Sequence, residues 1–303
     1  MLKKLAYSIF FGNYFYGLCT VGLSVEANLQ QDVSLNSFLY YILVFLGTVV
    51  YYTHAYIGEQ KAKHYYNTRS EWYANNYRLT YFTQIIYTIL IAVITLYLII
   101  INFKGILHLS LIEWISIVAF PVVAGLYYGV VLSPKFKLNL RSEGWLKPFI
   151  IGFVWAGAVT IYPIIFRGIE KGITYTLSWL VGWLFLKNWM YITVLCIMFD
   201  IKDYAADHNK QLKTFVVQVG LRRTIFTILI PLTLIGLASF IVFAITTHFP
   251  LQRILINIIP FIALIVVAYS LHERKKILYY LAVIDGLMLV KAACGIAGVL
   301  LVP

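Results

Sequence analysis

The chain has 303 residues, of which 61% are apolar and 12% are charged, with a mean hydropathy of +0.84. This composition excludes an ordinary soluble domain, because hydrophobic residues would cover every face of it. The formal net charge of +12 does not by itself indicate nucleic-acid binding, and we expect none, since in a membrane protein the distribution of lysine and arginine matters more than their total.

Nine apolar stretches are each long enough to cross about 30 Å of hydrocarbon, which takes about 20 helical residues. In chain order they are 6–25, 37–55, 79–102, 106–131, 146–166, 176–199, 224–246, 253–271 and 277–302. The sequence therefore predicts an all-α, polytopic membrane protein with about nine transmembrane helices, in which residues 1–303 form a single domain.

Lysine and arginine are unevenly distributed between the predicted loops. If the N-terminus is inside and nine spans alternate, the inside segments carry 18 of the 24 basic residues and the outside segments carry four. Because basic loops stay in the cytoplasm, we expect a multi-pass protein of the plasma (inner) membrane with a cytoplasmic N-terminus. Basic inner loops attract either anionic lipid headgroups or a diphosphate.

Several polar residues lie within or beside the apolar stretches in the first half of the chain. We expect Asn13, in the first span, to bond a neighbouring helix, and Glu26 to lie in a short outer loop. His54 ends the second span and is followed by a long polar loop, 61–78. Glu113 falls inside the fourth span, toward its outer side.

Three ionisable residues fall inside predicted spans in the second half: Lys187, Asp285 and Lys291. A lysine near the bilayer centre is unfavourable by about 3 kcal/mol, so each of these side chains should face the interior of the bundle. The same cost leads us to expect a pair between Asp285 and either Lys187 or Lys291.

Three of the twelve acidic residues lie within eight positions at the predicted inner end of the sixth span. In a helix Asp200, Asp203 and Asp207 stand at i, i+3 and i+7, on one stripe. Like charges crowd unfavourably unless a cation neutralises them, and oxygen ligands suit Mg²⁺, which also takes substrate phosphates. The alternative is a solvated acidic helix end, with nearby lysines as partners.

The aspartate stretch resembles the second aspartate-rich motif of the UbiA superfamily of intramembrane prenyltransferases. The resemblance rests on Asp203-x-x-x-Asp207, followed by Lys213-Thr214 and by Gly220, with Asp200 where many members carry a further aspartate. It implies a UbiA-like bundle around one cavity, with Mg²⁺ held by the three aspartates. It also implies that Lys213 lies near the substrate phosphates.

The family's first motif, Asn-Asp-x-x-Asp-x-x-x-Asp, is degenerate in this chain. With Thr53 and His54 under its Asn-Asp, Ile57 and Lys61 take the places of the two later aspartates. His54 is then a candidate ligand, base or hydrogen-bond donor, and we assign it with Asp203 to catalysis. Packing within the bundle is the alternative for His54.

The resemblance also implies that the loop after the second span supplies basic residues to the diphosphate, which makes Arg69 and Arg78 candidate substrate ligands. The function expected is Mg²⁺-dependent transfer of a prenyl group from an isoprenyl diphosphate to a lipophilic acceptor. Because the first motif is missing, a catalytically inactive relative that binds an isoprenoid lipid or a membrane partner is the alternative. A transporter that uses the internal charged residues is a third reading.

Overall fold

The fold was analysed in a computed structural model that describes residues 2–58, 68–128, 130–133, 136–138, 144–175, 178–209 and 213–302. The chain is α-helical, as the sequence predicts, and the described part adds one short antiparallel hairpin, β1 Val130–Ser133 and β2 Phe136–Leu138. The helices are α1 Leu2–Phe11, α2 Tyr14–Gln30, α3 Phe38–Gly58, α4 Thr68–Asn75, α5 Tyr77–Ile101, α6 Phe103–Leu107, α7 Leu111–Tyr128, α8 Lys147–Ala156, α9 Tyr162–Lys171, α10 Trp179–Asn209, α11 Phe215–Val219, α12 Leu221–Arg223, α13 Ile230–Thr246, α14 Leu251–Ser270, α15 Ile277–Tyr279 and α16 Gly286–Leu300.

Three short π-helical segments join helices into longer rods. Gly157–Ile161 connects α8 to α9, Thr224–Leu229 connects α12 to α13, and Tyr280–Ile284 connects α15 to α16. Each junction widens the helix by one residue per turn without ending it, so the apolar run continues across the bilayer thickness.

Seven helical rods in the described residues are long and apolar enough to cross a membrane, as in a multi-pass membrane protein. An eighth results if α1 and α2, bent by 59° at Gly12-Asn13, count as one span. Asn13 takes a left-handed backbone conformation there (φ 64°), which asparagine tolerates better than most residues. The fourth predicted span corresponds to a shorter apolar helix, Leu111–Tyr127, so the predicted count of nine is not confirmed.

Two predicted span boundaries were wrong. The span predicted to end at 25 continues as α2 to Gln30. The fourth span begins at Leu111 and not near 106, because Ser110 and Glu113 form a reciprocal cap: the Ser110 hydroxyl and backbone N–H both donate to the Glu113 carboxylate (2.7 and 2.8 Å). Part of the predicted loop 61–78 is also helical, as α4.

The core lies where α10 meets α2, α14, α16 and the π segment before α16. Its fully buried side chains include Leu23, Ile197, Met198 and Leu264. The main packing partners are α8 with α10, α2 with α16, and α14 with α16, whereas α5 packs chiefly against α3 and leaves most of its surface exposed. The central helix α10 therefore carries the residues that reach both ends of the bundle.

Candidate functional site

The predicted aspartate stripe begins with a buried ion pair. Asp200 lies near the C-terminal end of α10 and is 1% exposed. Its Oδ1 atom accepts a hydrogen bond from the Nζ of Lys147, 2.9 Å away, on the first residue of α8. The close packing of α8 on α10 brings these residues together, although they are 53 positions apart in the chain. We call the end of the bundle that carries this pair the Asp200 end.

The second aspartate of the stripe lies nearer the surface. Asp203 forms an ion pair with its neighbour Lys202, and its side chain is 39% exposed. Helix α10 continues through Asp207, as the predicted spacing requires, but the Asp207 side chain lies outside the described residues. Within the described part of the chain, no three His, Cys, Asp or Glu side chains are grouped closely enough to hold a metal ion. A magnesium site would therefore depend on Asp207, together with release of the two lysines from Asp200 and Asp203.

The residues after the stripe have local structural roles. Thr214 is buried and caps α11, its hydroxyl accepting from the backbone N–H of Val217 (3.4 Å). Gly220 has φ 83°, a conformation that L-residues with side chains rarely adopt. Helix capping thus explains Thr214 and backbone conformation explains Gly220, the two residues that follow the aspartates in the motif that resembles the UbiA superfamily. Lys213 is exposed, so its ammonium is accessible at this end.

The remaining predicted site residues are spread over the first half of the chain. His54 is exposed on α3, and Arg78 is exposed near the start of α5. In the described residues, no hydrogen bond or ion pair joins His54 to Asp203. The assignment of His54 and Asp203 to catalysis stays a prediction.

Arg69 is buried and holds the first helices together. Its guanidinium donates to the Asn13 side-chain oxygen, to the Phe11 carbonyl (3.3 Å) and to the Tyr56 hydroxyl (3.0 Å). Asn13 in turn donates to Tyr73, a phenol whose pKa is raised by burial so that it stays neutral. The sequence predicted that Asn13 would bond a neighbouring helix, which is confirmed. Arg69 fixes the bend between α1 and α2, and this role does not require a ligand.

An aromatic cluster lies deeper than the Asp200–Lys147 pair. Tyr16 and Tyr52 stack with ring centroids 4.6 Å apart, and the Trp155 indole N–H donates to the Tyr52 hydroxyl. Trp155 lies eight residues after Lys147 on α8, which is about 12 Å further into the bundle. Asp285 is buried next to Tyr16, and its Oδ2 atom has no hydrogen-bond partner in the described part of the chain. The Asp200 end therefore combines charged groups at the rim with aromatic faces behind them.

The pairing predicted for the internal lysines was wrong. Lys291 binds both carboxylate oxygens of Glu26, at 2.8 and 2.6 Å, and not Asp285. Lys187 donates to the Gln30 side-chain oxygen (3.1 Å) and lies 3.9 Å from the Glu26 carboxylate. Glu26 was expected in an outer loop, but it is buried within α2. We call the group of Glu26, Gln30, Lys187 and Lys291 the Glu26 cluster.

The sequence contains one signal for this cluster, a stripe of glycines beside Lys291. Lys291, Gly295 and Gly298 are at i, i+4 and i+7 and share one stripe of α16. A Cβ at Gly295 would stand 2.5 Å from a Glu26 carboxylate oxygen, and one at Gly298 would stand 2.6 Å from the Asn257 amide nitrogen. The glycines thus leave the space into which polar side chains of α2 and α14 fit.

Comparison with known proteins gives no relative from which a role can be assigned. No protein-family model, no curated protein and no solved structure matches this chain.

Proposed function

We propose that this chain is an integral membrane transferase, which moves a prenyl group from an isoprenyl diphosphate to a lipophilic acceptor at the Asp200 end. One observation carries the proposal: a buried acid at a helix end, Asp200, pairs with Lys147 above the aromatic cluster of Tyr16, Tyr52 and Trp155. Prenyl transfer requires this combination of groups, because a diphosphate leaving group needs positive charge and an allylic cation needs shelter from water.

The basic residues at this end suit the diphosphate. Lys147, Lys202 and Lys213 can each present an ammonium to phosphate oxygens, and Lys147 and Lys202 can do so by exchanging an aspartate for a phosphate. Mg²⁺, when bound by Asp200, Asp203 and Asp207, would supply the charge that neutralises the diphosphate. In the proposal Arg69 acts by fixing the shape of the entrance, whereas His54 and Arg78 are accessible for substrate contacts.

The aromatic cluster suits the prenyl carbons. The stacked faces of Tyr16 and Tyr52, with Trp155 beside them, offer cation–π stabilisation to developing positive charge. Trp155 is buried and the two tyrosines are half-buried, which limits the access of water that would otherwise capture an allylic cation. We place this site on the cytoplasmic side of the plasma (inner) membrane, because the basic inner loops implied by the positive-inside rule belong to the same end.

A binding protein without catalytic activity is the second candidate. It is favoured by the ion pairs themselves, since Asp200 and Asp203 each engage a lysine and the described residues contain no group of three metal ligands. Such a protein would hold an isoprenoid lipid at the same place and would need no Mg²⁺.

The test uses purified, detergent-solubilised protein with prenyl diphosphates of increasing chain length, with and without Mg²⁺. We expect a prenyl diphosphate of one chain length to raise the temperature of the unfolding transition when Mg²⁺ is present. At a hundredfold excess over Kd the stabilisation should be about 3 kcal/mol. Turnover with extracted membrane lipids as acceptors should be lost in Asp203→Asn/Asp207→Asn. The matched control is Asp32→Asn, an exposed acid at the other end of the bundle, which should keep full activity.

The two candidates give different results in this assay. Ligand stabilisation that does not need Mg²⁺, with no turnover, would support the binding protein over the transferase. Full turnover in the double variant would contradict the assignment of the aspartates. Failure of every prenyl diphosphate to stabilise the protein would remove both candidates.

A further inference from the structure

A second polar region lies at the opposite end of the bundle, around the Glu26 cluster. Lys187 and Asp200 are 13 residues apart on α10, which is about 20 Å of helix. A cleft opens beside Lys187 between α2, α10, α13 and α14, and it is lined by Gln30 and Asn257 as well as by aromatic side chains. Nothing in the proposed transferase activity uses this cleft.

Positive charge is in excess around the cleft. Glu26 is the one acid of the cluster, and both of its oxygens are bound by Lys291 at hydrogen-bond distance. Lys187 is 3.9 Å from the same carboxylate, which is too long for a hydrogen bond. Arg253 adds a further positive charge near Lys187 and stacks on Phe249, 4.0 Å from the ring centroid. Two lysines thus face one carboxylate, and a third cation lies near Lys187.

Lys187 has hydrogen-bonding capacity to spare. An ammonium has three N–H donors, and in the described residues the one hydrogen bond that Lys187 makes goes to Gln30. Its side chain is only 13% exposed, so bulk water cannot fully replace the missing acceptors. An anion in the cleft would supply those acceptors and would also balance the excess charge.

The walls of the cleft are aromatic and apolar. Trp183 and Phe243 stack at 5.5 Å, and Phe243 meets Phe249 edge-on at 5.7 Å. A second, adjoining cavity shares Trp183, Lys187 and Phe240 with the first and continues between α10 and α13 to Met190 and Gly236. The Met190 methyl group packs directly on Gly236, where an added Cβ would stand 2.7 Å from it. A narrow apolar groove therefore follows α10 on both sides of the ammonium.

From this arrangement we propose that the cleft binds an amphiphilic anion, a lipid whose carboxylate or phosphate head accepts hydrogen bonds from Lys187 and whose acyl or prenyl tail lies between α10 and α13. The head fits the site because the excess charge is positive and Gln30 and Asn257 can contribute further polar contacts. The tail fits because the groove beside the ammonium is apolar. A water-soluble anion would leave that groove unfilled.

The experiment separates head from tail with four probes on purified protein in a neutral detergent. Oleate carries both parts, methyl oleate carries the tail without the charge, and acetate and inorganic phosphate carry the charge without the tail. We expect oleate to bind saturably and to raise the thermal transition, whereas the other three have no effect at the same concentration. Equal binding of methyl oleate would overturn the proposal, and so would an equal effect of phosphate or acetate.

Matched variants tie the binding to the cleft. Lys187→Met keeps the length of the side chain and removes its charge, so oleate affinity should fall at least about tenfold. Ser239→Trp places a large ring in the groove lined by Ser239 and should weaken oleate binding. Lys171→Met, at an exposed lysine of the same end, is the control and should bind like the unmodified protein.

A folding defect cannot imitate the expected result. Glu26 keeps Lys291 as its hydrogen-bonded partner when Lys187 is replaced, so Lys187→Met leaves no unpaired buried carboxylate and should remain folded and monodisperse. Wild-type oleate affinity in Lys187→Met would refute the assignment. Loss of binding in Lys171→Met to the same extent would also refute it, because the effect would then reflect surface charge and not the cleft.

Discussion

Glu26 is the residue whose replacement we expect to lower the free energy of unfolding most, because its carboxylate is the acidic partner of two lysines. Glu26 is 1% exposed, Lys291 is bound to it at 2.6 and 2.8 Å, and Lys187 lies 3.9 Å away. Glu26→Gln would remove the only negative charge of the cluster and leave two ammonium groups facing each other. Removing one partner of a buried ion pair typically lowers the free energy of unfolding by about 3 to 5 kcal/mol, and we expect Glu26→Gln to reach that range.

Lys291→Met should be less damaging, and this asymmetry is the specific part of the prediction. Without Lys291 the carboxylate is still only 3.9 Å from Lys187, which can move closer and replace the lost partner. We therefore expect a loss below about 3 kcal/mol. Replacing all three charged residues by methionine removes the unpaired charges altogether, and it should recover most of the stability lost in Glu26→Gln.

The assay is reversible unfolding in mixed micelles, titrated with a denaturing detergent and followed by tryptophan fluorescence. Glu273→Gln is the surface control: Lys275, 3.0 Å away, lowers the pKa of Glu273, but the carboxylate is exposed and its loss should not move the transition. The reasoning is refuted if Glu26→Gln unfolds within about 1 kcal/mol of the unmodified protein, or if Lys291→Met is the more damaging change.

Three further changes test other parts of the fold in the same titration. Lys147→Met removes the ammonium 2.9 Å from the buried Asp200 and should lower the free energy of unfolding by about 3 kcal/mol; an unchanged midpoint would show that the pair is not buried in solution. Arg69→Met should lose about 3 kcal/mol through its hydrogen bonds to α1, α2 and α3, and lysine at the same position should not restore them, since it lacks the planar fork. Gly105→Ala pushes a Cβ into a backbone carbonyl of α9 and should lose about 1 to 3 kcal/mol, whereas Gly47→Ala, with nothing within 4 Å, should be neutral or stabilising; equal effects would contradict the packing of α6 on α9.

The positions of the helices could be predicted from the sequence because hydrocarbon thickness sets the length of an apolar run. Each of the nine predicted stretches overlaps a helix of the structure, and α10 continues through 200–207 as the aspartate spacing requires. The two main errors came from acids. A hydropathy pattern ends a span where an acid appears, but Glu26 is buried by a lysine 265 residues away in the chain. Glu113 acts as a helix cap, and its Ser-x-x-Glu signature was present in the sequence.

The pairing of the internal charges could not be predicted, for a physical reason. When a helix is apolar on nearly every face, its sequence gives little information about which face meets which neighbour. The cost of burial correctly predicted that Lys187 and Lys291 would face the interior. It could not decide between Glu26 and Asp285, because that choice depends on helix rotation and on the room left by Gly295.

The charge balance at the two ends of α10 leads to different expectations for ligand binding. At the Asp200 end the buried acid is already bound by Lys147, so an incoming diphosphate must displace an existing ion pair. Binding there should consequently be weak unless Mg²⁺ replaces the lysine on the carboxylate. At the Glu26 end one acid faces Lys187 and Lys291, and Lys187 is too far from it for a hydrogen bond, so an anion can bind Lys187 without displacing a hydrogen-bonded carboxylate. Chelating divalent metal should therefore abolish ligand binding at the Asp200 end and leave oleate binding beside Lys187 unchanged.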